Sequence, residues 1–274
     1  MPERQADPPA GPVTKAAPVR FGRRALVSFA AVFAAAVAVA ILSLLVKSKS
    51  AGLLRVDNSF ADESHEFLRS HTTFTSAMRA VSDLGSTLAW WIILIPVMGW
   101  LIYRRLPRLA AFVAVTAIGS SLLNNAIKLT VSRARPHLPD PVATAGGTSF
   151  PSGHAQAAIV GYGILVLVFL PVIPRRIRPW AITVASLLVL TIGFSRIALG
   201  VHYFSDVIGG FLIGGAWLIA MTTAFSAWRT DEGKPPVHPT EGLEPELQEG
   251  ITPSAAGNAP PESSPTTTPR ADSS

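Results

Sequence analysis

The feature that most constrains this chain is a series of long apolar runs. The first, from Ala25 to Val46, contains no charged residue and, at 1.5 Å per residue, is long enough to cross a bilayer. Its length and its place after a polar segment favour an uncleaved span over a cleaved signal peptide. Five more runs follow, at 85–103, 109–127, 155–173, 180–194 and 207–228. We therefore predict an all-α, polytopic membrane protein with six transmembrane helices in a bundle.

Polar segments flank and interrupt these runs. Residues 1–24 and 229–274 contain too few apolar side chains to offset the entropy of ordering, so we predict disordered N- and C-terminal tails around a membrane domain at 25–228. The loop 47–84 is also polar, but it predicts one or two short amphipathic helices on the membrane surface. The apolar residues near helical spacing in this loop are Phe67, Phe74, Met78 and Val81.

Charge and composition set the orientation and exclude some functions. The formal net charge is +6, but no basic helix or basic–aromatic surface accompanies it, so no nucleic-acid partner is predicted. The absence of cysteine excludes disulfides and thiolate metal sites. The basic loop residues Arg20, Arg23, Arg24, Arg104, Arg105, Arg108, Arg175, Arg176, Arg178 and Arg229 all fall on one side of a six-span protein. The positive-inside rule makes that side, and both termini, cytoplasmic.

A second group of charges lies on the opposite, outer side, where topology does not require them. Lys128 and Arg135 follow the third span, and Arg196 follows the fifth. Ionisable clusters at the edge of a membrane are usually functional. These three cations suit a tetrahedral oxyanion, because arginine offers a bidentate fork and lysine a point charge.

The stretch "SFPSGH" at 149–154 precedes the fourth span and predicts the first turn of a helix. A helix N-terminus presents free backbone N–H groups and attracts phosphate. Ser152 could donate its hydroxyl, and Gly153 lets an anion approach the backbone. His154 is then placed to protonate a leaving oxygen.

His202 and Asp206 are four residues apart, a spacing that puts both on one face of a helix. A carboxylate on one imidazole nitrogen fixes the tautomer and leaves the other nitrogen as a nucleophile. Two histidines and an aspartate could also bind zinc, but the neighbouring cations oppose a metal ion. We therefore predict no metal and no cofactor.

Three stretches of the chain resemble the signature blocks of the type 2 phosphatidic acid phosphatase superfamily. They are "KLTVSRARP" from Lys128, "PSGH" from Pro151, and "SRIALGVHYFSD" from Ser195 to Asp206. All signature positions are matched in order and spacing, and the resemblance covers about residues 85–225. Phe204 departs from the pattern, since many members have proline there. Arg133 and His137 lie outside it, and we interpret them as solvated or headgroup-facing side chains.

The resemblance implies a metal-independent phosphatase that acts at the extracytoplasmic face through a phosphohistidine. His202 would be the nucleophile, assisted by Asp206, and His154 the general acid. The residues expected to hold the phosphoryl oxygens are Lys128, Arg135, Ser152, Gly153 and Arg196. The candidate substrates are phosphatidate, phosphatidylglycerophosphate and a polyprenyl pyrophosphate such as the undecaprenyl carrier.

Other functions stay open at this point. A phosphotransferase of the same superfamily would use an alcohol in place of water as the final acceptor. A vanadium haloperoxidase shares the anion site, but those relatives are soluble, whereas this chain has six predicted spans. A lipid transporter with a degenerate site would lack catalytic residues, and none is missing here. The Ala- and Arg-rich composition is typical of a bacterium with a GC-rich genome, so we expect a bacterial cell-membrane protein.

Overall fold

The computed structural model describes residues 18–138, 141–234, 236–237 and 240–244. All the regular secondary structure elements in this part of the chain are helices. Eight α-helices are separated by short connections, apart from an irregular segment between the fifth and sixth. They are α1 (Pro18–Lys47), α2 (Ala51–Ser70), α3 (Thr72–Asp83), α4 (Thr87–Tyr103), α5 (Pro107–Val131), α6 (Gly153–Phe169), α7 (Arg178–Ala198) and α8 (Phe204–Asp231), with a 3₁₀ turn at Leu170–Val172.

Five of these helices are long and apolar enough to cross a membrane: α1, α5, α6 with its 3₁₀ turn, α7 and α8. The sixth predicted span, α4, has 17 residues and reaches the required length only together with α3, across a bend of 42°. The all-α, polytopic fold is therefore confirmed, and the count of six holds when α3 and α4 form one bent span. The predicted loop helices are α2 and α3; their location at the membrane surface stays a prediction.

Local sequence explains where several helices begin and end. The Ser86 hydroxyl accepts a hydrogen bond from the Ala89 N–H at 3.2 Å and so caps α4. Pro107 opens α5, at a position where its missing N–H costs no helical bond. Helix α5 ends at Val131, and the next residue, Ser132, has a φ of +50°, which turns the chain out of the helix. The chain then runs without regular structure to α6, and this irregular segment passes over the end of the bundle.

Helix α6 is the centre of the bundle and packs against α5, α7 and α8. Glycines of α8 let this helix approach α6 closely. A Cβ atom on Gly210 of α8 would lie 2.6 Å from the Ser152 carbonyl oxygen, so only glycine permits this contact. Buried apolar side chains of α4, α5 and α6 fill the core beside it, including Trp90, Leu94, Val113 and Ile164.

The predicted limits of the two tails need correction. Helix α1 begins at Pro18 rather than at residue 25. Helix α8 continues to Asp231, and a later stretch returns to the bundle, where the Leu243 N–H donates to the Leu167 carbonyl at 3.0 Å. Leu243 is fully buried. The prediction of disorder is wrong for residues 240–244. They pack against the bundle because Leu243 is buried and its N–H binds the Leu167 carbonyl near the end of α6. Residues 1–17 and 245–274 lie outside the described residues.

Candidate active site

A cavity of about 520 Å³ lies between α4, α5 and α6 and opens at the end of the bundle where four helix termini meet. Six of the eight predicted site residues line it: Lys128, Arg135, Gly153, His154, Arg196 and His202. They come from the last turns of α5 and α7, the first turn of α6 and the connections between helices. The fold thus brings together residues that are up to 74 positions apart in sequence, between 128 and 202.

The three predicted anion-binding cations are held by neutral partners. Lys128 Nζ donates to the Thr148 carbonyl at 2.9 Å, and Arg135 Nη1 donates to the Val201 carbonyl at 2.7 Å. Arg196 Nη1 donates to the hydroxyl of Ser82 in α3. Within the part of the chain that the structure describes, none of the three cations has an ion-pair partner. This end of the cavity therefore has an excess of positive charge that an anion would neutralise.

Arg196 also carries a hydrogen-bond donor that the protein leaves unused. Its Nε atom is buried and has no hydrogen-bond partner among the described residues. A buried donor without an acceptor costs free energy, on the order of 1–3 kcal/mol. An anion oxygen bound in the cavity is a natural acceptor for it.

The imidazole of His202 is buried between an arginine and a carboxylate. Its Nε2 atom lies 3.2 Å from Arg135 Nη1, and its Nδ1 atom lies 3.4 Å from Asp206 Oδ2. Because a guanidinium can only donate and a carboxylate can only accept, Arg135 and Asp206 together favour the neutral tautomer whose proton lies on Nδ1 and faces the carboxylate. Burial lowers the pKa of His202 to about 4; Asp206 acts against this shift, while Arg135 and Arg196 add to it.

Asp206 is fully buried at the start of α8 and is surrounded by donors. Its Oδ1 accepts from Arg133 Nη1 at 2.7 Å. Its Oδ2 accepts from the Tyr203 N–H at 2.8 Å and from the hydroxyl of Ser149. The predicted proximity of His202 and Asp206 is present, but the predicted shared helix face is not: α8 begins at Phe204, so His202 lies in the connection before it. Asp206 itself does not line the cavity.

Ser152 differs from its predicted place. It is fully buried, and its hydroxyl accepts from the Ala155 N–H at 3.5 Å, as expected of a residue that caps α6. Its own N–H donates to the Asp206 carbonyl at 2.9 Å, which joins the starts of α6 and α8. Gly153 and His154, the first residues of α6, do line the cavity. A direct bond from the Ser152 hydroxyl to phosphate stays a prediction.

Residues 109–230, which contain all eight predicted site residues, match the family model described as PAP2 superfamily. Over this region the chain is similar to the PAP2 superfamily. It is 33% identical over 95 residues to phosphatidylglycerophosphatase B of Bacillus subtilis (strain 168), a match that covers 34% of this chain and 46% of that protein. It is also 33% identical over 123 residues to lipid A 1-phosphatase of Rhizobium etli, covering 42% of this chain and 49% of that protein. The chain thus matches about half the length of these relatives.

The fold is similar to that of a solved PAP2 protein. The crystal structure of a transmembrane PAP2-type phosphatidylglycerolphosphate phosphatase from Bacillus subtilis aligns with a TM-score of 0.61. The alignment covers 72% of this chain and 96% of that one, at 21% sequence identity. At this level of identity the likeness establishes the shared fold.

The surroundings of Arg133 differ from those that the sequence predicts. It was expected to be solvated, but only 8% of its side chain is exposed, and it pairs with Asp57 and Asp206 at 2.7 Å each. Although burial lowers the pKa of Arg133, the two carboxylates outweigh that effect and raise it. His137, interpreted in the same way, is exposed.

Four residues at the site were not recognised from the sequence as part of it: Asp57, Ser82, Arg133 and Ser149. A signal existed for Asp57, because it shares one stripe of α2 with the buried Ala61 and Leu68, at spacings of four and seven residues. A charged residue on the apolar face of an amphipathic helix needs a partner. The serines carry no such signal, since serine is common at helix ends and in loops.

The described residues contain no group of three or more histidine, aspartate or glutamate side chains arranged to hold a metal ion. The cations around the cavity would also repel one. Metal independence stays a prediction.

Proposed function

We propose that this protein is an integral-membrane lipid phosphatase that hydrolyses a phosphomonoester or pyrophosphate lipid through a phosphohistidine, without a metal ion. The observation that carries the proposal is the unprotonated Nε2 of His202, which lies at the cationic end of a cavity that apolar side chains also line. A nucleophile, an anion site and apolar side chains in one cavity suit a substrate with a phosphate head and a hydrocarbon tail.

In the first step, His202 Nε2 attacks phosphorus and the bond from phosphorus to the leaving oxygen breaks. The positive charge that develops on the imidazole is stabilised by the buried carboxylate of Asp206 beside Nδ1. His154 gives its proton to the leaving oxygen. Lys128, Arg135 and Arg196 stabilise the charge on the equatorial oxygens, and in such sites one lost donor costs roughly 10²–10³ in rate.

In the second step, water attacks phosphorus and the phosphorus–nitrogen bond breaks. His154, which lost its proton in the first step, accepts one from the water. Phosphate leaves, and His202 returns to the neutral form with its proton on Nδ1. Both steps use the same cations, because the transferred group keeps its three oxygens in place.

The substrate class is supported by the cavity and by the relatives. The lining of the cavity includes the apolar side chains of Trp90, Leu94, Ala117 and Val160, besides polar side chains of α5 and α6 such as Ser120 and Gln156. The matched relatives are named phosphatidylglycerophosphatase B and lipid A 1-phosphatase, and both names denote phosphatases that act on a lipid phosphate. Phosphatidylglycerophosphate is therefore our first choice, with phosphatidate and a polyprenyl pyrophosphate as the other candidates.

We also propose that the site faces the outside of the cell. It lies at the start of α6, whereas the arginines 104, 105 and 108 lie at the junction of α4 and α5, which the fold puts at the other end of the bundle. The positive-inside rule places that arginine-rich end in the cytoplasm.

The proposal is tested by measuring phosphate release from these lipids, and from lipid A 1-phosphate, with the protein purified in detergent. We expect turnover of at least one, and a loss of more than about 10³-fold in His202→Ala, because no other group replaces the nucleophile. His137→Ala, at an exposed histidine outside the cavity, is the matched control and should retain activity. If no lipid phosphate is hydrolysed, or if His202→Ala turns over normally, the proposal fails. Mass spectrometry with added alcohols separates hydrolysis from phosphotransfer.

Metal independence has its own test. EDTA should leave the rate unchanged, while orthovanadate should inhibit, because the cationic site suits a tetrahedral oxyanion and its five-coordinate form. Loss of activity in EDTA that returns on adding a divalent cation would contradict the metal-free mechanism.

A further inference from the structure

Helix α2 carries a fully buried carboxylate that the signature motifs do not include. Asp57 Oδ1 accepts from the Ser205 N–H at 2.9 Å, and Oδ2 accepts from the Ser205 hydroxyl at 2.6 Å and from Arg133 Nη2 at 2.7 Å. An ionised group removed from water is costly unless it is paired and hydrogen-bonded. Each of these hydrogen bonds leads to Ser205 in the first turn of α8 or to Arg133.

Arg133 connects this carboxylate to the one at the active site. Its Nη2 binds Asp57, and its Nη1 binds both Asp206 Oδ1 and the Ser205 hydroxyl at 2.7 Å. Its guanidinium lies over the ring of Tyr203, 4.0 Å from the centroid. The planar fork of arginine can hold two carboxylates in fixed directions, which the point charge of lysine cannot do.

The charges in this group indicate what the second carboxylate does. Arg133 alone would neutralise Asp206 and leave little negative charge for the imidazole of His202. With Asp57 present, two carboxylates share one guanidinium, and one negative charge remains in a buried environment. That charge lies beside the nitrogen that becomes positive when His202 bonds to phosphorus.

We propose that Asp57 and Arg133 are positioning residues for phosphoryl transfer: they orient Asp206 toward Nδ1 of His202 and keep its charge available to the phosphohistidine. This inference rests on the proposed function. It assigns helix α2, which lies outside the three signature blocks, a role in catalysis. Neither Asp57 nor Arg133 lines the cavity, so their effect should appear in the chemical step rather than in substrate binding.

The test is Asp57→Asn, which keeps the shape of the side chain and removes its charge. We expect kcat to fall about 10–100-fold, the usual cost of losing a group that orients an active-site residue, with KM within about threefold of the wild-type value. Asp57→Glu should recover part of the lost kcat. The matched control is Asp62→Asn, an exposed aspartate of the same helix, which should keep the wild-type kcat. Equal kcat values in Asp57→Asn and Asp62→Asn, or a change in KM alone, would overturn the proposal.

Rapid-quench measurement of the phosphoenzyme shows which step is affected. Asp57→Asn should form it more slowly than the wild type. If Asp57→Asn does not fold in detergent, Arg133→Lys is the second variant, because it keeps the charge and loses the fork. We expect the same loss of kcat, and wild-type kcat in folded Arg133→Lys would contradict the proposal.

A second measurement does not depend on turnover. In protein labelled with ¹⁵N-histidine, the signal of His202, identified by its absence in His202→Ala, should report the Nδ1–H tautomer in the wild type and a mixture of tautomers in Asp57→Asn. An unchanged tautomer in Asp57→Asn would contradict the positioning role even if the wild type released no phosphate. Absence of phosphate release by the wild type would instead count against the proposed function.

Discussion

At the scale of single residues, the buried imidazole of His202 has a charge state set by opposing neighbours. Burial and the cations Arg135 and Arg196 disfavour its protonated form, while Asp206 favours it. The balance lies on the side of the neutral ring, with the pKa at about 4. A neutral imidazole is the reactive form of a nitrogen nucleophile, so this charge state suits the role that we propose for His202.

This charge state predicts a pH dependence that can be measured without substrate. At pH 5.5 an ordinary histidine, with a pKa of about 6.5, is mostly protonated. His202 should still be neutral there and should gain its proton only as the pH falls through about 4. Titration of the ¹⁵N signals of His202, with the His202→Ala variant for assignment, checks this. Protonation of His202 between pH 6 and 7 would contradict the arrangement of charges described above.

At the scale of secondary structure elements, α2 and α3 each supply one residue that holds the active site in place. Asp57 of α2 binds Arg133 and Ser205, and Ser82 of α3 accepts from Arg196. Both α2 and α3 also pack against α7, which carries Arg196. The segment between α1 and α4 therefore contacts the end of the bundle that holds the candidate site.

The contact between α3 and α7 predicts the effect of Ser82→Ala. The variant removes the hydroxyl that holds the buried guanidinium of Arg196, and a hydrogen bond to a charged group is worth about 1.5–3 kcal/mol. We expect kcat/KM to fall at least about tenfold, since about 1.4 kcal/mol corresponds to a factor of ten. Ser76→Ala, at an exposed serine of the same helix, is the control. Equal activity of the two variants would show that Ser82 does not position Arg196.

The sequence predicts some elements of this site and not others for physical reasons. Apolar runs report membrane spans directly, because the bilayer requires a minimum length of helix. The motif residues lining the cavity were predicted by residue type and spacing. Asp57 and Arg133 were missed because they are 76 residues apart, and only the folded chain brings their side chains to within 2.7 Å. The packing of residues 240–244 is not predicted by the sequence, because a single apolar residue, Leu243, is too short a signal.

At the scale of the whole molecule, one cavity joins two environments. One end carries the cations near the ends of α5 and α7, and the rest of its lining includes apolar side chains of α4, α5 and α6. The glycine contact between α8 and α6 fixes the position of α6, whose first turn lies at the cationic end. The bundle thus sets the distance between the cations and the apolar lining. We therefore expect kcat/KM to depend on the length of the hydrocarbon tail of the substrate.

This arrangement predicts that filling the apolar part selects against long chains. Ala117 of α5 lines the cavity, so Ala117→Phe should displace part of a hydrocarbon tail. Losing the burial of two methylenes, at about 0.8 kcal/mol each, would lower kcat/KM for a long-chain phosphatidate at least about tenfold. The short-chain dihexanoyl phosphatidate, whose tails end near the head, should be affected less than about threefold. Ala111→Phe, at an exposed position of the same helix, controls for the added ring and should change neither rate. Equal losses on both lipids would contradict this prediction, because the variant would then not select against long chains.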